Sequence, residues 1–185
     1  MKVFYTASYQ GKNKYQKYYD LVLAALEKTG VVVISPEKGN YKRVLSVRER
    51  VRLGEKEKLV HYEAIKKGIS SADAVIIEIS NEDFQLGHEA TLTIQVKKHV
   101  LCLSIYEDFS QKISNRYFHG ARYNEYDVEE IVGEFVRKAK RELLGLRFNC
   151  FLSASEVEYL GKRAGEEGVS KSEYLRELID KDKNG

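Results

Sequence analysis

The sequence predicts an α/β protein: a doubly wound parallel sheet over residues 1–143, followed by a small strand-helix-helix module over 144–185. Three observations carry that prediction. Short apolar or β-branched runs alternate with helical stripes along the first 143 residues, as strands joined by helical crossovers do. The runs at Ala74–Ile79 and Val100–Leu103 are mostly apolar, the signature of parallel strands buried on both faces. After Leu143 the alternation stops and a different pattern begins.

Taken in order, Lys2–Thr6 is a strand. Tyr15–Lys28 places Tyr18, Leu21, Val22, Ala25 and Leu26 on one helical stripe. Val31–Ser35 is a short β-branched run that ends at the only proline, Pro36. The polar stretch after it, with Gly39, reads as a long loop over the strand ends and a candidate lid. Arg48–Gly68 is a charged helix with Leu59, Tyr62 and Ile65 facing inward. Ala74–Ile79 and Val100–Leu103 flank a helix over Glu89–Lys97. Ala121–Tyr126 is a fifth strand, and Val128–Leu143 an amphipathic helix. In the tail, Arg147–Ser153 reads as a strand. Helices follow from Ser155 to about Ala164 and from Ser170, where Ser170 and Glu173 form a capping-box pattern. So small a module cannot bury a core alone, so it must dock or pair with a copy of itself.

Composition bounds the function. The net charge of +3 is too slight to mark a nucleic-acid binder, and 43% hydrophobic residues suffice for a packed core. The chain holds no apolar run long enough to span a membrane. It enters an apolar strand at Lys2–Tyr5 without a basic and then hydrophobic leader, so the expectation is a cytoplasmic protein. Cys102 and Cys150 sit in apolar runs and read as core residues. His61, His88, His99 and His119 show no zinc spacing, and neither a P-loop nor a dinucleotide fingerprint is present.

The most informative residue is Glu89. An apolar strand empties into a polar loop, and Glu89 then falls in the first turn of the next helix. There the helix dipole would keep it ionised, at the crevice where open sheets bind ligands. That setting suits a carboxylate nucleophile at a sugar carbon. An ordinary acidic first-turn residue would look the same.

Three stretches carry a family resemblance: Phe4–Ser8 with Gly11, Ala72–Ser80, and Gly87–Ala90 followed by Lys98–Leu103. With them, residues 2–143 resemble the nucleoside 2-deoxyribosyltransferase superfamily, in particular its 2'-deoxynucleoside 5'-monophosphate N-glycosidases. The resemblance implies a Rossmann-like domain, a nucleoside or nucleotide substrate and no cofactor. It makes Glu89 the nucleophile that expels the base and forms a glycosyl ester. It implies that Asp83 and His88 position substrate or move protons, and that Ser8, Gly11 and Gly87 cradle the sugar or phosphate. Tyr5 could stack on a base, although a strand-end tyrosine is as often plain core. Ser114 matches a serine lent across a dimer interface.

The departures concern protons and phosphate. The family aspartate that handles the leaving base would fall near Ile65, with Glu63, His61 and Asp83 as the nearby substitutes. Gln10 stands in place of an arginine, and Asp83 in place of a phosphate-binding serine, which would repel a phosphate.

The tail resembles a ribbon-helix-helix module. By parity Phe148, Cys150 and Leu152 point to the core, while Arg147, Asn149 and Phe151 point outward, where arginine and asparagine can read base edges. Amides at Ser170, Lys171 and Ser172 would hold a phosphate. Residues 144–185 carry seven Lys/Arg against eight Asp/Glu, so a dimerising clamp competes with a DNA-binding role. The resulting reading is an enzyme on N-ribosyl bonds that forms a homodimer or higher homo-oligomer. The competing one is a nucleotide-sensing DNA-binding transcriptional regulator, and a third is an interaction scaffold.

Overall fold

Five strands form one sheet in the order β2-β1-β3-β4-β5, with every neighbouring pair parallel. They are β1 (Lys2–Ala7), β2 (Val32–Ile34), β3 (Ala74–Glu78), β4 (His99–Ser104) and β5 (Phe118–Arg122). This computed structural model describes residues 1–143 and 149–184. From β1 the chain steps outward to β2, then returns past β1 to β3 and runs the other way. The sheet therefore reverses direction between β1 and β3, and the crevice beyond their carboxyl ends is the expected ligand position.

Strand alternation divides the core between the two faces. Val3, Tyr5, Ala74, Ile76, Leu101 and Leu103 pack against α1 (Lys12–Lys28) and α5 (Val128–Leu143). Phe4, Val75, Ile77, Val100 and Cys102 pack on the other face against α3 (Glu57–Ser71) and α4 (Phe84–Gln95), which supply Ile65, Ile69, Leu86 and Ala90. The doubly wound parallel sheet is thus the observed fold.

Four expectations need correction. The segment after Pro36 is not one long loop: it forms a 3-10 turn at Tyr41–Val44 and then α2 (Val47–Leu53). The charged helix expected over 48–68 is two helices, α2 and α3, parted at Gly54. Its φ of 59° and ψ of −146° are closed to residues with a side chain. Of the three residues expected to face inward, only Ile65 is buried, while Leu59 and Tyr62 are exposed. The fifth strand is Phe118–Arg122 rather than Ala121–Tyr126.

The chain divides into two compact units, Met1–Gly145 and Leu146–Gly185. In the second, α6 (Ala154–Glu167) and α7 (Lys171–Asn184) form a helical pair. Ser153 opens α6 through a capping box with Glu156. Ala164 and Tyr174 are the buried apolar side chains of this unit among the described residues, and Arg163 Nε donates to the Tyr174 hydroxyl at 3.3 Å. Residues 149–153 form no strand within the chain, and Cys150 is exposed, not a core residue. The parity expected for them has no sheet to act on here. Arg147 and Phe148 lie outside the described residues.

Candidate functional site

The turn after β1 meets the loop after β3 at the switch point. Ser8 is 1% exposed, and its hydroxyl donates to Asp83 Oδ2 at 2.5 Å. The same oxygen accepts from Asn81 Nδ2 at 2.9 Å and from the Gly11 amide at 3.3 Å. Asp83 in turn caps α4, its Oδ1 accepting from the Leu86 amide at 2.9 Å. Gly11 is required here because a Cβ would lie 2.3 Å from the Tyr19 hydroxyl and 2.7 Å from Asn81 Cβ. Ser8, Gly11 and Asp83 are therefore brought together, mainly with one another as partners.

Glu89 lies just behind this knot, and two features differ from expectation. It is the sixth residue of α4, in the second turn and not the first. It is 1% exposed, and that burial pushes its carboxyl up to about 7, with nearby Asp83 acting in the same direction. The Gln85 amide and the Thr6 hydroxyl pull the other way. Loss of solvation outweighs the helix dipole one turn deeper in, so Glu89 is not simply kept ionised. Gln85 Nε2 donates to Oε1 at 2.7 Å, and Oε2 has no hydrogen-bond partner among the described residues.

A cavity of about 220 Å³ opens in front, lined by Thr6, Ser8, Lys12, Glu37, Tyr41, His61, Asp83 and Gln85 among others. His61 Nδ1 lies 2.9 Å from the Tyr41 hydroxyl, and its Nε2 lies 3.3 Å from Gln85 Nε2. Burial and the Lys42 charge hold its pKa below the usual histidine value. Glu37 is paired with Lys12 Nζ at 3.0 Å. Gln85, Tyr41, Glu37 and Lys12 escaped the sequence reading, because only the fold brings these separate segments to one mouth.

Other expected site residues lie elsewhere. Tyr5 is fully buried on the α1 side of the sheet and donates its hydroxyl to the Tyr19 carbonyl at 3.0 Å, so it cannot stack on a ligand here. His88 stacks between Tyr62 and Phe84, with ring centroids 6.2 and 6.4 Å away, and does not line the cavity. Gly87 is exposed on α4, where an added Cβ would meet nothing. Ile65, at the position of the missing aspartate, is core. Ser114 is exposed in the segment before β5.

A second buried carboxyl lies across the sheet. Glu78, at the end of β3, accepts from the Tyr123 hydroxyl at 2.9 Å and from the Ser80 hydroxyl, and burial pushes it up to about 7. Its polar letter in an apolar run gave no sign of this. Among the described residues no group of three or more His, Cys, Asp or Glu is arranged to hold a metal, and no helix is long and apolar enough to cross a membrane.

In the tail, Asn149 and Phe151 are exposed. The Ser170 amide donates to Glu173 Oε2 at 3.1 Å, and the Ser170 hydroxyl accepts from the Glu173 amide at 3.2 Å. This capping box sets a carboxylate where a phosphate was expected beside Ser170 and Lys171. A small apolar groove is lined by Leu152, Tyr159, Leu160 and Leu175.

No protein-family model matches the chain, and no curated protein matches it. Among solved structures, a 2-deoxyribosyltransferase from Bacillus psychrosaccharolyticus is similar at 18% identity, with a TM-score of 0.49. That match covers 70% of this chain and 90% of the other.

Proposed function

We propose that the chain cleaves the N-glycosidic bond of a nucleoside or deoxynucleoside, with Glu89 as the nucleophile and water or a second base as the acceptor. The observation that carries this is the state of Glu89. It is a buried carboxyl at the sheet's switch point, titrating near neutrality, with one oxygen unpartnered. A desolvated carboxylate is a stronger nucleophile than a hydrated one, and a group tuned to about 7 is ionised in a useful fraction at neutral pH.

Gln85 covers Glu89 and lines the cavity, so its side chain is the part that must move. A cavity of about 220 Å³ falls below the usual range for ligand pockets, roughly 300–1,000 Å³. Swinging Gln85 aside both enlarges the space and uncovers Glu89. Attack at the anomeric carbon then forms a glycosyl ester and releases the base. Water resolves the ester to free sugar, or another base resolves it to a new nucleoside.

The polar knot favours a substrate without a 5'-phosphate. Ser8 has one proton and gives it to Asp83, whose two oxygens are both engaged. Lys12 is neutralised by Glu37. An incoming phosphate would meet two carboxylates before it met a free donor. The tail acts as a homodimerising clamp in this reading, with Ser114 reaching the neighbouring copy's site.

The test is a panel of ribo- and deoxyribonucleosides and their monophosphates, followed by chromatography of free base. Release from nucleosides supports the proposal. No release from any substrate by folded protein contradicts it and turns attention to salt-dependent DNA binding by a nucleotide-sensing regulator.

A further inference from the structure

We infer that His61 is the proton donor to the departing base, working from across the bond attacked by Glu89. The inference rests on the reading of Glu89 as nucleophile. A base expelled from an N-glycosidic bond takes the bonding electrons and leaves as an anion unless a proton reaches one of its nitrogens. Neither of the two acidic substitutes for the expected aspartate supplies it: Asp83 lines the cavity, but both of its oxygens are engaged, by Ser8 and by the Leu86 amide. Ile65 is core, and Glu63 does not line the cavity. His61, one turn earlier on α3, does line it.

The geometry is set by Gln85. Its Nε2 lies 2.7 Å from Glu89 Oε1 and 3.3 Å from His61 Nε2, so those two atoms are no more than 6.0 Å apart. That upper bound leaves room for the arrangement of retaining glycosidases, where the nucleophile and the acid stand roughly 5–5.5 Å apart. The two amide protons of Gln85 serve both neighbours at rest, one to each. His61 Nε2 then accepts, and Nδ1–H donates to the Tyr41 hydroxyl at 2.9 Å. When Gln85 leaves, a nucleophile and a proton carrier are exposed together on either side of the vacated space.

The step balances. Glu89 forms an ester bond to the anomeric carbon, the C–N bond breaks, and its electrons go to the base. When Gln85 leaves, His61 Nε2 takes up a proton from solvent to give the imidazolium; that proton then passes to a base nitrogen, leaving His61 neutral. Neutral His61 then takes a proton from the water that attacks the ester, and Glu89 departs as a carboxylate. Lys42 and Tyr41 act directly on His61, Asp83, Glu37 and Lys12 share its cavity, and Glu89 lies behind Gln85. The active form needs Glu89 ionised and His61 protonated, so the rate falls on both sides of a maximum.

The test compares a purine nucleoside with its 7-methylated form, such as guanosine or deoxyguanosine and their 7-methyl derivatives. The methylated base is already cationic and leaves without being given a proton. His61→Asn is expected to slow release from the unmethylated nucleoside by about 10²–10⁴-fold and from the methylated one by less than about tenfold. It should also abolish the alkaline fall of the pH profile. Tyr41→Phe, which frees Nδ1, should move the acid break of the profile and leave an alkaline fall in place, and guards against a His61 variant that does not fold. Equal slowing of both substrates, no slowing of either, or a wild type that cleaves only the methylated form overturns the inference. A wild type that cleaves neither overturns it together with the nucleophile reading, whereas selective loss in the variant sustains both.

Discussion

Ser8 donates to Asp83 at 2.5 Å across 75 residues of sequence, joining the turn after β1 to the start of α4 at the sheet's switch point. This contact orients the helix that carries Gln85 and Glu89. Asp83→Ala removes the cap of α4 and leaves the buried Ser8 hydroxyl without its acceptor. The expected cost is about 1–3 kcal/mol. Asp83→Asn keeps a good cap and should cost less than half as much. Urea denaturation checks both, and equal costs would show that the cap is not the stabilising element.

Glu78 and Glu89 make stability depend on pH. Both are raised to about 7, so between roughly 4.3 and 7 the folded state holds protons that the unfolded chain releases. Stability therefore falls as pH rises through that window, by on the order of 1–3 kcal/mol per group. Glu78→Gln should flatten the fall between pH 5 and 8 in thermal unfolding. An unchanged slope would mean that Glu78 does not keep its proton in the folded state.

Gln85 favours the charged form of Glu89, since its amide donates to Oε1. Gln85→Ala should lower the maximal rate and move the alkaline break of the profile to higher pH, because Glu89, which already titrates above His61, becomes harder to ionise. A profile that moves to lower pH, or not at all, would contradict that role.

In the second unit, Phe151 is fully exposed and Leu152, Tyr159 and Ile179 are largely so. Apolar surface of that kind on a two-helix unit calls for a partner. Phe151→Ser with Leu152→Ser should shift the full chain toward a smaller species in light scattering. An unchanged mass would rule out these residues as the clamp.

The sequence made the central sheet legible because β1, β3 and β4 are short apolar runs with nothing else to become. The amphipathic stripe of Val128–Leu143 was equally plain. β5 was misplaced because Phe118-His-Gly-Ala-Arg122 sits on the sheet's edge and has little pattern, while the aromatic run after it has more. The break at Gly54 was hidden inside a continuous stretch of charged helix formers. In the site, Ser8, Asp83 and Glu89 could be found from their positions at strand ends. Gln85 could not, and His61 could be reached only as one of three substitutes for the missing aspartate: the two lie 24 residues apart, and only the packing of α3 against α4 joins them. Tyr5 and His88 misled for a related reason, since which way a side chain faces depends on register that no local pattern fixes.

The nucleophile is tested most directly by trapping. Wild type and Glu89→Gln are mixed with a cleavable nucleoside and with its 2'-fluoro analogue, quenched in acid, digested and mapped by mass spectrometry. The expected result is a glycosyl adduct on the peptide containing Glu89 in wild type only, with base release about 10⁴-fold slower in the variant. Base release by both proteins at similar rates, or an adduct on another residue, would contradict the assignment of Glu89.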